Sequence, residues 1–251
     1  MSAIVVNNLG KRYHRRNAHR PTTFHEALLR GMRGRRQTEA FWGLRHVSFE
    51  VSRGTMLGVI GSNGAGKSTL LRLLGDIDKP DEGTVRVRGR LDALLSLSAG
   101  FHPDLTGREN VYVNGVVHGL TRAEVRRRFD SIVAFAELEE FIDSPLRIYS
   151  TGMTMRLGFA VAAHMEAEIL LIDEVLAVGD AAFEKKCLDR IRQLRADGCT
   201  IVLISHHLDQ IRQMCDDVVW LHKGQVAATG SPDAVVEQYL NGPAPAVATS
   251  A

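Results

Sequence analysis

A glycine-rich loop that directly follows a short apolar run constrains this chain more than any other feature of its 251 residues. Residues 56–60 read Met-Leu-Gly-Val-Ile, the pattern of a strand buried on both faces of a sheet. The loop follows at residues 61–69, and a helical apolar pattern continues to residue 74. Strand, glycine loop and helix in this order are the context that a phosphate-binding loop requires.

The residue types of the loop fit a polyphosphate. Glycines let backbone N–H groups converge on phosphate oxygens, and the following helix presents its positive end. We expect Lys67 to reach the β- and γ-phosphates and the Ser68 hydroxyl to ligate Mg²⁺. A chance glycine loop is the alternative, and the flanking strand and helix argue against it. The candidate nucleotide-binding residues are Gly61, Ser62, Asn63, Gly64, Ala65, Gly66, Lys67, Ser68 and Thr69.

A second apolar strand, at residues 169–172, ends in two carboxylates. It delivers Asp173 to its carboxyl end, where open α/β sheets bind ligands, and we expect this side chain to hold Mg²⁺. Glu174 is placed to polarise a water for in-line attack on the γ-phosphate. Such a pair alone is more often a solvated strand end, but the phosphate loop in the same chain favours the catalytic interpretation.

The other periodic segments predict an α/β arrangement. Residues 106–165 turn helical, and Thr121 and Glu124 form a capping box before a helix that places Val125 and Phe129 on one side with Ile132 and Val133. Short strands are predicted at 3–9, at 84–88 and at 200–204, and a further strand is predicted to end at residues 49–51. A hairpin is predicted at 218–221 and 225–228. A last helix is predicted at 232–240, followed by a flexible tail at 242–251.

The composition is that of an ordinary globular protein, with 45% hydrophobic and 24% charged residues and a net charge of +2. Three cysteines without paired spacing, Cys187, Cys199 and Cys215, predict small buried side chains in a reduced protein. We expect no signal peptide, and no uncharged apolar stretch reaches the roughly 18 residues of a membrane helix.

The charge is concentrated near the amino terminus. Residues 11–36 hold nine Lys or Arg and one acid, Glu26. Within this segment Phe24, Leu28 and Met32 fall on one helical face. The pattern favours a basic amphipathic helix that rests on a membrane surface or a membrane partner. A helix packed back on its own domain, or a solvated arginine-rich loop, remains open.

Further motifs resemble the ABC ATPases, and the resemblance spans nearly the whole chain. Residues 149–153, Tyr-Ser-Thr-Gly-Met, resemble a divergent form of the Leu-Ser-Gly-Gly-Gln signature. Residues 177–180 fall where the family's D-loop lies. The pair Ser205 and His206 matches the family's switch-histidine motif, and His207 is the alternative to His206. Tyr13 looks like the aromatic residue that stacks on adenine in the family, unless it is an ordinary core or surface tyrosine.

The resemblance implies an α/β fold, an ABC-type P-loop NTPase with a RecA-like mixed-sheet core, an N-terminal antiparallel β subdomain and an α-helical subdomain at about 104–165. One ATPase domain would cover 1–241, with the basic insertion at about 14–40. Glu174, His206 and Lys67 would be catalytic, and ATP and Mg²⁺ the ligands. A homodimer would hold ATP at its interface, where Ser150, Gly152 and Asp180 would meet it.

One family element is missing from the sequence. The glutamine that usually ligates Mg²⁺ at the entry to the helical subdomain has no counterpart in residues 94–103. A hydroxyl of Ser96 or Ser98, or a water, would have to substitute. Thr151 and Met153 also depart from the family's signature.

This departure accompanies a resemblance to one branch of the family, the polysaccharide exporters. The segments 99–103, 105–110, 149–153 and 173–180 occur together as in that branch, and so does the insertion before residue 41. The resemblance implies an integral membrane permease as partner, a lipid-linked, O-antigen-like polysaccharide handled indirectly, and a peripheral position on the cytoplasmic face of the cell (inner) membrane.

Several alternatives stay open. Teichoic acid, capsule or another lipid-linked molecule is an alternative cargo. Another transport type is less favoured, because it would predict a glutamine near Ser96 and no basic insertion. A non-transport ABC protein of translation or DNA repair is less favoured, because the chain has one cassette and no heptad run. We therefore expect no nucleic-acid partner. We also expect no C-terminal sugar-binding domain of the kind that some O-antigen exporters carry.

Overall fold

A computed structural model of the chain describes residues 1–15, 39–94, 100–173 and 180–242. The strands in these ranges are β1 Ser2–Arg15, β2 Glu39–Ser52, β3 Met56–Ile60, β4 Glu82–Val87, β5 Leu91–Leu94, β6 Ile169–Ile172, β7 Thr200–Ile204, β8 Asp217–His222 and β9 Gln225–Gly230. The helices there are α1 Lys67–Leu74, α2 Gly107–Val117, α3 Arg122–Ala136, α4 Thr151–Ala163, α5 Ala181–Ala196, α6 Leu208–Met214 and α7 Pro232–Leu240, with a 3₁₀ turn at Leu146–Ile148.

A six-stranded mixed sheet forms the centre, in the order β5-β6-β7-β3-β8-β9. The first five strands are parallel, and β9 pairs with β8 in the antiparallel direction. Every residue of β3, β6 and β7 is buried, as their uninterrupted apolar sequences predict. The two faces of this sheet belong to two different hydrophobic clusters.

The two clusters show what covers each face. One joins Ile60 and Leu203 of the sheet to helix residues such as Phe159, Phe183 and Ile211. The other joins the opposite face to α1 and to a three-stranded antiparallel sheet of order β2-β1-β4. The predicted α/β class, with a mixed core sheet and an N-terminal antiparallel sheet, is confirmed.

Helices α2, α3 and α4 pack around a third hydrophobic cluster. The predicted capping box of α3 is confirmed, because the Thr121 hydroxyl accepts from Glu124 N and the Glu124 carboxylate accepts from Thr121 N. Val125, Phe129, Ile132 and Val133 are buried on one side of that helix, again as predicted. Thr106 and Glu109 make a second capping box at the start of α2.

The structure corrects the predicted extent of the first two strands. Apolar alternation predicts β1 only at 3–9, but the strand continues to Arg15, because β2 pairs with it along its length. The last pair of this hairpin is Arg15 with Glu39. Most of the predicted basic insertion and its amphipathic helix, residues 16–38, therefore lie outside the described residues, but both ends are anchored side by side.

Cys187, Cys199 and Cys215 are buried and unbridged, as predicted. Burial raises the pKa of these thiols to about 12, 11 and 12 respectively, so they behave as small apolar side chains. None of the helices in the described ranges is long and apolar enough to cross a bilayer.

Candidate nucleotide-binding site

Three adjacent parallel strands bring the main predicted site residues to one edge of the central sheet. Strand β7 lies between β6 and β3, with Ile172 opposite Leu203 and Val59 opposite Ile204. The glycine loop follows β3, Asp173 follows β6, and the Ser-His pair follows β7. Because all three strands run in the same direction, these segments share the carboxyl edge, where ligands bind in such sheets.

The glycines of the loop adopt backbone conformations that other residues rarely take. Gly61, Gly64 and Gly66 have φ of 151°, 78° and 107°. A Cβ on Gly61 would overlap the Leu221 carbonyl oxygen, and one on Gly66 would lie 2.5 Å from Leu44 Cδ2. The loop therefore needs glycine at positions 61 and 66 for space as well as for φ.

Two segments that are distant in sequence support the loop from behind. Gly224, in the turn between β8 and β9, donates its N–H to Ala65 O at 3.0 Å. The carbonyl of Gly224 accepts from Arg45 N at 2.8 Å, which ties this turn to β2. Ala65 is buried, whereas Ser62, Asn63 and Gly64 are exposed. One side of the loop is fixed by packing, and the other side faces solvent.

Lys67 spans the loop from the first turn of α1. Its Nζ donates to Gly61 O at 2.6 Å and to Ser62 O at 3.2 Å. Burial lowers the pKa of Lys67, and the charge of Asp173 acts in the opposite direction. Burial likewise raises the pKa of Asp173, and Lys67 partly opposes this. The loop's ammonium group and the carboxylate after β6 thus share one partly desolvated site.

The oxygen donors at this edge fit a magnesium ion. Ser68 presents an exposed hydroxyl in the first turn of α1, and Asp173 a half-buried carboxylate whose charge Lys67 offsets only in part. Carboxylate and hydroxyl oxygens, completed by phosphate oxygens and water, are the ligands that Mg²⁺ prefers. Asp173 N also donates to Leu94 O at 3.4 Å, so the segment in which the family's glutamine is missing begins beside this carboxylate.

Tyr13 lies beside the carboxyl-terminal end of the loop. A Cβ on Gly43 would be 2.7 Å from Tyr13 Cε2 and 3.5 Å from Thr69 Oγ1, so the tyrosine ring, Gly43 and Thr69 are in close proximity. The Tyr13 hydroxyl donates to Asp78 Oδ2 at 3.4 Å. Phe41, the cross-strand partner of Tyr13, places its half-exposed ring 5.9 Å from the tyrosine ring.

Ser205 and the two histidines form a turn between β7 and α6. The buried Ser205 hydroxyl accepts from His207 N at 3.0 Å, and His207 is the residue that precedes α6. The rings of His206 and His207 are both exposed, with centroids 4.0 Å apart. The choice of His206 as the γ-phosphate contact therefore stays a prediction.

The signature-like segment, residues 149–153, lies in a different place. Ser150 caps α4 and accepts from Met153 N at 3.2 Å. Ser150 and Gly152 line an open cavity of about 490 Å³ with Arg156 and Asp180, and none of residues 61–69 lines that cavity. Asp180 caps α5 and is paired with Arg156, whose Nη2 donates to it at 2.6 Å. The chain thus separates the phosphate loop from the residues that the signature contributes.

Two sequence predictions fall outside the described residues. One is the segment 174–179, which holds Glu174 and residues 177–179 of the D-loop predicted at 177–180, and the other is the pair Ser96 and Ser98. Sequence reasoning in turn missed Gly43, Phe41 and Gly224, which contact or adjoin the loop and its tyrosine. The sequence signal for two of them was a glycine, Gly43 within a strand and Gly224 in a turn between two strands.

Comparison with known proteins agrees with this geometry. The profile of a family described as ABC transporter matches residues 44–177. The O-antigen export system ATP-binding protein RfbB of Myxococcus xanthus is 46% identical over 95% of this chain, which spans 56% of that relative's length. The RfbB of Klebsiella pneumoniae is 46% identical over 79% of this chain and 81% of its own length.

A third relative is named for the export of teichoic acids. The teichoic acids export ATP-binding protein TagH of Listeria monocytogenes is 39% identical over 80% of this chain and 60% of its own length. Among solved structures, an ATP-binding subunit of an ABC transporter superposes with a TM-score of 0.75 at 24% identity, over 95% of this chain and 93% of that one. The family match and these relatives confirm the resemblance drawn from the motifs, and the chain belongs to the ABC transporter family.

Proposed function

We propose that this chain is the ATP-binding and ATP-hydrolysing subunit of an exporter that moves a lipid-linked, O-antigen-like polysaccharide across the cytoplasmic membrane. The observation that carries the proposal is the joint position of the phosphate loop, Lys67 and Asp173 at one sheet edge. Relatives named for O-antigen and teichoic acid export, at 39–46% identity, support the cargo class.

The site residues divide the chemistry between them. The exposed loop N–H groups of Ser62 to Gly64 bind the phosphate oxygens, and Lys67 exchanges its carbonyl partners for the β- and γ-phosphates. Ser68 and Asp173 would hold Mg²⁺, which would neutralise the charge that develops on the phosphates. Glu174, the residue after Asp173, orients the attacking water, and His206 contacts the γ-phosphate.

The adenine end of the site is Tyr13. Its ring adjoins the last loop residue, Thr69, across Gly43, which supports stacking on a base whose phosphates occupy the loop. Residues 1–241 thereby form one ATP-binding unit, with the antiparallel sheet supplying the aromatic residue and the mixed sheet supplying the phosphate site.

A homodimer completes the site. Ser150 and Gly152 line an open cavity to which residues 61–69 of their own chain do not contribute, which supports a role at the nucleotide of the second copy. A solved dimeric cassette bound to ADP and phosphate shares this fold, with a TM-score of 0.72. Asp180, tied to the signature helix through Arg156, lies beside the same surface.

We further propose that an integral membrane permease supplies the transport path and contacts the polymer. The chain works peripherally on the cytoplasmic face of the membrane. No nucleic acid takes part. Teichoic acid or capsule export is the alternative cargo assignment, because TagH proteins resemble this chain to a similar degree.

Two measurements test the proposal. The purified chain should hydrolyse ATP only with Mg²⁺. Cells in which Lys67→Ala replaces the native residue should accumulate lipid-linked polysaccharide on the cytoplasmic side, with Lys185→Ala, a change of an exposed lysine on α5, as the matched control. Normal surface polysaccharide in the Lys67→Ala cells would refute the export role, and Mg²⁺-independent turnover would refute the catalytic one.

A further inference from the structure

A second cavity lies at the end of the central sheet opposite to the phosphate loop. It has a volume of about 530 Å³ and includes Ile169 and Thr200, the first residues of β6 and β7. The phosphate loop and Asp173 follow the carboxyl ends of β3 and β6. The cavity is therefore separate from the proposed ATP site by the length of the strands.

Three parts of the fold meet around this cavity, and each contributes arginine. The strand ends of the antiparallel sheet supply Arg53 and Arg88, α3 supplies Arg127 and Arg128, and α5 supplies Arg190. Arg53 Nη2 donates to Arg88 O at 3.3 Å, which holds those two residues together. Such a concentration of guanidinium groups is costly unless anions offset it.

The carboxylates on the same wall offset only part of this charge. Glu166, Glu168 and Asp197 are the acidic residues of the lining, against five arginines. Glu166 pairs with Arg128, Glu168 accepts from Arg90 N, and Asp197 accepts from Gln193 Nε2. Two of the three carboxylates thus already engage groups other than the lining arginines, and the cavity keeps a positive excess.

Arg128 has a donor without a partner. Its Nη2 pairs with Glu166, but its Nη1 is buried and makes no hydrogen bond among the residues that the structure describes. An unpaired buried guanidinium N–H is expensive, so it marks a position where an acceptor would be stabilised. Arg190 uses its Nε for Ala163 O at 3.1 Å, a bond that does not involve its two terminal nitrogens.

His164 lines the same wall of the cavity as these arginines. Burial lowers the pKa of His164, and the charges of Arg190 and Arg128 lower it further. Both guanidinium groups therefore act on one region of the cavity. His164 Nδ1 donates to Ala160 O at 2.7 Å, so its ring orientation is fixed.

We propose that this cavity binds a phosphate or diphosphate group carrying at least two negative charges. Arginine forks bind phosphate oxygens through paired charge-assisted hydrogen bonds, and three of them converge here from α3 and α5. A bound group would connect the antiparallel sheet, the helical region and the central sheet, and so would stabilise their present arrangement. This site is distinct from the proposed ATP site and does not depend on that assignment.

Inorganic pyrophosphate is the probe, titrated by calorimetry at low salt into the full-length Lys67→Ala protein, in which the phosphate loop is weakened. Arg128→Gln should weaken binding about tenfold, because a charge-assisted bond is lost. The exposed Arg127→Gln should weaken it about threefold. Arg126→Gln, an exposed arginine on the same helix that does not line the cavity, is the control and should bind as the parent does.

Vesicle co-sedimentation, with phosphatidic acid against phosphatidylcholine, distinguishes a lipid headgroup from a soluble phosphate. Loss of vesicle binding in Arg127→Gln and Arg128→Gln would assign the site to a headgroup, and loss of pyrophosphate binding alone would assign it to a soluble ligand. If Lys67→Ala by itself abolishes pyrophosphate binding and no vesicle binding occurs, or if all three arginine variants behave alike, the proposal is wrong. Thermal melting shows whether Arg128→Gln is folded. If it is not, the pyrophosphate affinity of Arg127→Gln relative to Arg126→Gln tests the proposal instead.

Discussion

The phosphate loop and the signature-like segment, residues 149–153, are both glycine-containing turns that open a helix, but their surroundings differ. Gly61 and Gly66 have no room for a Cβ, because Leu221 and Leu44 press on them from within the chain. A Cβ on Gly152 would meet only Ser150 Oγ at 3.8 Å. The chain's own packing therefore explains Gly61 and Gly66, whereas nothing in the described part of the chain requires a glycine at position 152. The proposed approach of a second copy would explain Gly152.

The largest expected effect concerns the loop. Lys67→Ala removes the only ammonium group that bonds to the loop carbonyls of Gly61 and Ser62 in the described structure, and with it the cation proposed to contact the γ-phosphate. We expect ATP turnover to fall by about a hundredfold or more, since charge stabilisation at the transferring phosphate is lost. Steady-state ATPase assays measure this, and unaltered turnover would remove the loop from the proposed site.

Glu174→Gln separates ATP binding from hydrolysis. If Glu174 orients the attacking water, the variant should bind ATP, hydrolyse it about a hundredfold more slowly, and accumulate as a dimer. Light scattering after gel filtration with ATP and Mg²⁺ shows the dimer. Turnover at the wild-type rate would exclude Glu174 as the catalytic base.

A matched pair of glycine substitutions tests the comparison directly. Gly61→Ala should destabilise the fold by about 1–3 kcal/mol, because it imposes an overlap with the Leu221 carbonyl at a φ that favours glycine. Gly152→Ala should leave thermal stability unchanged or slightly higher, because alanine favours a helix. In the Glu174→Gln background, however, it should weaken the ATP-dependent dimer.

Two outcomes would break the comparison. Equal melting temperatures for Gly61→Ala and wild type would show that the loop is not confined as its geometry indicates. An undiminished ATP-dependent dimer in Gly152→Ala with Glu174→Gln would show that the signature segment does not approach a second copy.

Ser150→Ala isolates the local role of the signature serine. The Ser150 hydroxyl accepts from Met153 N at the start of α4, and loss of such a cap costs about 1 kcal/mol. Chemical denaturation of the monomer measures that cost, and Ser150→Asp, which also caps helices, should restore it. If Ser150→Asp restores stability but not ATPase activity, the hydroxyl has a role beyond capping.

The smallest expected effect concerns a contact between helix α2 and the central sheet. His118, at the end of α2, bonds through Nδ1 to Asp92 Oδ1 of β5 at 2.8 Å, and β5 ends beside Asp173. That hydrogen bond raises the pKa of His118 above its ordinary value of 6.5. The bond therefore stabilises the fold fully below the ordinary pKa and less as the pH rises through the raised pKa.

We expect His118→Gln to lower the free energy of unfolding by less than about 1 kcal/mol at about pH 6, and by a smaller amount at about pH 9. Denaturant titrations at both pH values measure the difference. A larger loss at the higher pH would contradict the sign of this pKa shift.

Local patterns predicted the parts of the fold that local interactions determine. The buried strands β3, β6 and β7 follow from uninterrupted apolar runs, and the capping box of α3 from two residues three positions apart. Strand β5 was not predicted, because its four residues, which include an aspartate, show no clear hydrophobic periodicity. The support of the loop by Gly43 and Gly224 and the arginine-lined cavity depend on segments far apart in sequence, which no local pattern encodes.

The pairing of Arg15 with Glu39 has a consequence for how such a chain can diversify. Residues 16–38 start and finish at neighbouring points of one hairpin, two residues beyond the Tyr13–Phe41 pair. In polymer terms, doubling the length of a segment closed in this way costs only about 0.6 kcal/mol. A change in the length of this segment therefore costs little, and the Tyr13–Phe41 pair two residues away can keep its geometry.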